Sequence, residues 1–127
     1  MTMAEGMVRP DALSVRDGRL ALAVHLPWYR SLPISCLESV DVTVDGNAAA
    51  VRALHVPGFV GNVNEAGASD VAWDLRDPLD VSLDSAAQSG DTLQLEVAVA
   101  VRIPYIQQAP GVPLVQRTVV RTEGTVQ

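Results

Sequence analysis

The chain has 127 residues, with 9 Arg and no Lys against 15 Asp plus Glu, a formal net charge of -6, two His and one Cys. Scattered and outnumbered cations cannot displace counterions from phosphates, so nucleic-acid binding is excluded; the acidity disfavours anionic membranes, and no apolar run approaches the ~20 residues of a membrane helix. One domain spanning residues 1–127 is expected, with residues 1–10 and 123–127 flexible and a cytoplasmic location, because the start lacks a secretory signal and lone Cys36 cannot form an internal disulfide.

In chain order, Asp17-Gly18 reads as a hairpin turn leading into residues 20–26, where Leu20, Leu22, Val24 and Leu26 share one face. Ala21, Ala23 and His25 share the other, and their small size predicts either a close covering layer or a face only partly exposed. After a Pro-rich connection, Val40, Val42 and Val44 alternate with Ser39, Asp41, Thr43 and Asp45, as in a half-buried strand. Asp45-Gly46-Asn47 predicts a turn, with residues 49–56 as the return strand of a hairpin. Residues 57–69 read as a long loop with room for one short strand.

A short strand is predicted around Trp73, and another where Leu79, Val81 and Leu83 alternate with Asp80, Ser82 and Asp84. The longest strand follows, with Leu93, Leu95, Val97, Val99, Val101 and Ile103 on one face. Its other face passes from Gln94 and Glu96 to Ala98 and Ala100, which predicts a covered end. Residues 104–113 read as a Pro- and Gly-bearing loop, and residues 114–122 as a last strand of mixed polarity suited to a sheet edge. No helical period is sustained over three turns. Short strands separated by turn signals describe an all-β, two-sheet antiparallel β-sandwich, with a small β-barrel as the alternative.

Proton-carrying and metal-ligating candidates are sparse. His25 and His55 lie in predicted strands with no ligand spacing around them, and Ser35 and Cys36 have no activating motif. Asp70, Asp74, Asp77, Asp80 and Asp84 cluster in sequence, but the calcium-loop pattern is missing and alternation and turn chemistry account for them. Gly58 and Gly61 lack the Lys and the helix of a phosphate loop. No catalytic or metal-binding residue is therefore assigned to this chain, and an independent Asp-based hydrolase is the weakest reading. The unusual stretch is Pro27-Trp28-Tyr29-Arg30-Ser31-Leu32-Pro33: three residue types enriched at binding hot spots, in a loop held at both ends by Pro. It reads either as an interface loop or as a plug over the open end of the sandwich.

The run Leu26-Pro27-Trp28-Tyr29-Arg30-Ser31-Leu32-Pro33-Ile34-Ser35-Cys36-Leu37-Glu38, followed by Val42-Thr43-Val44-Asp45-Gly46 and by Arg102-Ile103-Pro104-Tyr105-Ile106, resembles the small β subunit of bacterial C-glycoside deglycosidases. The resemblance implies a β-sandwich assembled with a TIM-barrel catalytic α subunit similar to sugar isomerases and epimerases. That subunit would carry a divalent metal of the Mn or Mg type and the acid-base residues, with no cofactor in this chain. It implies a carbon-carbon lyase acting between a 3-oxo-sugar and an aromatic, flavonoid-type aglycone. Trp28, Tyr29, Arg30, Pro33, Arg102 and Tyr105 are then the expected partner interface or active-site rim. Residues 57–70 fall outside the resemblance. The competing expectation is a stand-alone carbohydrate- or aglycone-binding module that stacks ligands on Trp28, Tyr29 and Trp73.

Overall fold

Two Asp-Gly pairs set the register of the first half of the chain. Asp17 and Gly18 have φ of 53° and 75°, and Asp45 and Gly46 have 49° and 83°, so each pair closes a tight hairpin whose twist matches its strands. The computed structural model describes residues 4–127. The first pair joins β1 (Leu13–Arg16) to β2 (Arg19–Val24); the second joins β4 (Leu37–Val44) to β5 (Asn47–Ala49). Between them lie the two-residue β3 (Leu32–Pro33) and a 3-10 turn, Ile34–Cys36. Then follow β6 (Val51–Val56), β7 (Phe59–Gly61), the single-turn α1 (Val63–Ala66), β8 (Ala72–Trp73), β9 (Leu79–Ala86), β10 (Thr92–Ala109) and β11 (Val112–Thr125).

The strands form a five-stranded sheet, β1-β2-β9-β6-β7, and a four-stranded sheet, β11-β10-β4-β5, with β3 and β8 as a small third ladder. All pairings are antiparallel, and the two main sheets keep separate edges, so the fold is a β-sandwich and not a closed barrel. One hydrophobic cluster runs between them. Leu20, Leu22 and Val24 from one sheet face Val97, Val99, Val101 and Ile103 from the other, and all are essentially solvent-free.

Of the small outward side chains, Ala21, Ala98 and Ala100 are buried without a further layer of structure, while Ala23 stays partly exposed, as does His25 on the same face. Arg16 on β1 reaches over β2 to pair with Asp80 on β9, so its aliphatic stem lies across the side of the sheet that carries Ala21. Ala98 and Ala100 are closed in by flanking strands: Asp41 and Ser39 stand beside them on β4, Val119 and Arg117 on β11.

Several expectations change. The return strand after Gly46 pairs with β4 only over Asn47–Ala49; the chain then crosses at Ala50, and β6 joins β9 in the opposite sheet. Leu54 and Val56 drive this exchange, because there they reach the core with 0% and 1% exposure. Residues 57–69 hold the one short strand for which the loop had room, β7, and also a helical turn, α1, which an Asn62–Glu65 capping box closes. Within the terminal segments expected to be flexible, some of the described residues pack on the sandwich. Met7 is fully buried and its carbonyl accepts from the His25 N–H, while Val126 is 2% exposed and exchanges backbone bonds with Gly90 and Asp91. Residues 1–3 lie outside the described residues.

Candidate partner-docking site

β10 and β11 outrun the sandwich. β4 accompanies β10 only as far as the Leu37–Val101 pair, and from there β10 pairs with β11 alone, through two register irregularities, to a tip at Pro110-Gly111. The segment expected to be a loop is therefore a two-stranded arm. Where no third strand asks for a hydrogen bond, Pro104 and Pro113 forfeit nothing by lacking an N–H. Gly111, at φ 77°, supplies the turn.

The arm carries Tyr105, Ile106, Val112 and Val115, four of the seven large apolar side chains exposed among the described residues. No charged residue occurs between Arg102 and Arg117. A two-stranded ribbon is marginal on its own in water, and protein surfaces that become buried on association are depleted of charge at their centres. Ile106, Val112 and Val115 do not stand out individually in the sequence. The signal that marks them is that uncharged run in a chain where 19% of residues are charged.

The arm meets the Trp28 loop at its base. Trp28 is half-buried against the core, and its Nε1–H donates to the Tyr105 hydroxyl at 2.6 Å. Tyr29 leans on Trp28 with ring centroids 5.2 Å apart and planes at 58°, yet remains 70% exposed. Trp28 is thus partly a plug and partly the support that presents Tyr29 and Tyr105 together.

The loop is fixed on its far side. Ser31 Oγ accepts from the Leu75 N–H at 2.9 Å, Leu32 and Pro33 pair with Trp73 and Ala72, and the Ile34 N–H donates to the Val71 carbonyl. Pro33 is exposed beside the 3-10 turn, and Arg30 is exposed with no ion-pair partner among the described residues. Arg102 acts differently, since its guanidinium donates to Glu38 Oε1 at 2.8 Å and to the Ser35 carbonyl at 3.1 Å. It staples the turn to β10 and so positions the aromatic corner. Preorganised aromatics on a fastened loop lose little entropy on docking.

No protein-family model matches the chain. Curated proteins do. It is 32% identical over 113 residues to the 3'-dehydrocarminate deglycosidase beta subunit of a Microbacterium species, across 87% of this chain and 85% of that one. To a C-glycoside deglycosidase beta subunit of Arthrobacter globiformis it is 36% identical over 124 residues, across 87% of each. To another from Microbacterium trichothecenolyticum it is 35% identical over 112 residues, across 79% of each. The chain belongs to the C-glycoside deglycosidase β-subunit family.

In this family member the other chemical candidates have structural surroundings. Trp73 is 1% exposed and donates through Nε1 to the Asp77 carbonyl, so it is a core residue and offers no stacking face. Asp80 pairs with Arg16, Asp84 with Arg19, and Asp74 with Arg76, whose hydrogen bonds hold the Asp74 carboxyl below its usual range. Among the described residues no three His, Cys, Asp or Glu side chains converge as a ligand set. Burial pushes the Cys36 thiol up, more than the nearby Arg102 offsets, which keeps it a weak nucleophile. Burial, then Arg9, lowers the His25 pKa, with Asp11 acting in the opposite sense; its buried Nδ1 has no hydrogen-bond partner among the described residues. His55 is exposed on β6.

Proposed function

We propose that the chain is the accessory β subunit of a heteromeric C-glycoside deglycosidase, a carbon-carbon lyase of the cytoplasm, docked on a TIM-barrel catalytic subunit that resembles sugar isomerases and epimerases. The barrel carries the divalent metal, of the Mn or Mg type, and the acid-base residues. The assembly releases an aromatic, flavonoid-type aglycone from a 3-oxo-C-glycoside. The observation that carries this reading is the uncharged arm whose exposed Tyr105, Ile106, Val112 and Val115 adjoin the Trp28-Tyr29 corner, in a chain whose relatives are named as beta subunits. This chain contributes the docking surface: Tyr29, Arg30, Pro33 and Tyr105 at its rim, Trp28 beneath them, and Arg102 holding the turn behind. Covering that surface excludes water from the interface and fixes the corner beside the barrel.

The test is co-purification. The tagged chain, expressed with its genomic neighbours and followed by native mass spectrometry, recovers a metal-bearing barrel protein in fixed ratio. That complex cleaves a 3-oxo-C-glycoside, and neither subunit does so alone. A chain that elutes without a partner and binds glycosides by calorimetry overturns the subunit reading in favour of a stand-alone module.

A further inference from the structure

The outer face of the five-stranded sheet contains a cleft of about 590 Å³, remote in the fold from the arm and lined by Arg16, Asp17, Arg19, Arg52 and Ser82 over a floor that includes Ala21 and Ala53. Its shape follows from the strand register. Both neighbours of β9 lose register at the same level, β2 between Arg19 and Ala21 and β6 between Val51 and Ala53. Arg52 is the extra residue of the second irregularity. Paired bulges bend a sheet and redirect side chains, and they recur beside binding sites. Here they make a concave surface floored by small residues and rimmed by guanidinium groups.

Three of the nine arginines thus converge on one cleft of a chain with net charge -6, with Asp17 as the one acidic residue in the lining. Asp80 and Asp84 pair with Arg16 and Arg19 from outside that lining, and the Arg19 pair is loose at 3.8 Å. A guanidinium has five N–H donors, so one bond to a carboxylate leaves most of them for a ligand. Arg52 joins no ion pair among the described residues. Guanidinium forks match the paired oxygens of phosphate and carboxylate, so the donors of Arg52 and those that Arg16 and Arg19 leave unused suit such a group.

The geometry points to an oxyanion site: the cleft takes one phosphate or carboxylate group, with Arg52 and Arg19 as its principal donors and Ser82 at its floor. The group comes from a dissolved ligand or from an acidic side chain of the catalytic subunit. Only the second source rests on the function proposed above.

Inorganic phosphate and citrate are titrated into the full chain while amide chemical shifts are followed. A dissolved ligand gives saturable shifts at Ala21, Ala53 and Ser82, weakened about tenfold or more in Arg52→Gln, whose exposed position leaves the melting temperature unchanged. An acidic side chain of the catalytic subunit gives no saturable shifts, but Arg52→Glu then weakens assembly about tenfold or more and flattens its salt dependence. Absence of both effects overturns the site. Because the phosphate titration needs no partner, failure of the subunit reading leaves it informative.

Discussion

Replacing Tyr29 with Ala separates a docking residue from a core residue. A tyrosine can bury about 150–250 Å². With 70% of Tyr29 accessible, roughly 100–170 Å² remains for a partner to cover. At about 25 cal/mol per Å² that area has a ceiling of ~3–4 kcal/mol, and side-chain ordering and imperfect coverage reduce it to about 1.5–3 kcal/mol. The expected loss of affinity for the proposed catalytic subunit is therefore about 10- to 150-fold. Within the free chain, Tyr29→Ala removes chiefly the contact with Trp28, a loss of no more than ~1 kcal/mol of folding stability. Trp73→Ala, in the core, is the contrasting control and costs about 3–5 kcal/mol. Calorimetric titration against the catalytic subunit, paired with urea unfolding of each variant, measures both quantities. An affinity unchanged within about twofold removes Tyr29 from the interface. An unfolding midpoint lowered as far as that of Trp73→Ala makes Tyr29 structural, and either result refutes the reasoning.

Other perturbations probe the scaffold. A Cβ on Gly124 would stand 2.7 Å from Cδ1 of Leu13, itself 1% exposed, so Gly124→Ala lowers stability by about 1–3 kcal/mol in urea unfolding. His25 has a folded-state pKa below its ordinary 6.5, so the unfolded chain binds the extra proton as pH falls. Stability from this group is complete above the ordinary value and is lost between it and the lowered folded value; His25→Gln flattens the dependence of the unfolding midpoint across that window. Cys36, buried with its pKa raised, reacts with an aromatic disulfide reagent only after denaturation; rapid labelling of the native chain contradicts its assigned burial.

Much of the sandwich is legible in the sequence because alternation in β2, β4, β9 and β10 and the two Asp-Gly turns are local signals. The Asn62–Glu65 capping box is also local, yet its one turn is too short to show a helical period among Gly and Asn residues. The Trp28-Tyr29-Arg30 loop declares itself by composition. Its division of labour does not: only the fold brings Tyr105 to Trp28, turns Arg102 onto Glu38 and Ser35, and buries Trp73.

The sequence by itself determined the alternating strands β2, β4, β9 and the first part of β10, their inward faces and the two Asp-Gly turns, since each depends on residues one or two positions apart. Tertiary structure decided which sheet each strand joins, that β6 leaves β4 for β9, and that residues 104–113 extend as an arm. Those outcomes depend on pairing between distant segments and on where β4 stops accompanying β10, and no local pattern of side chains encodes the length of a neighbouring strand.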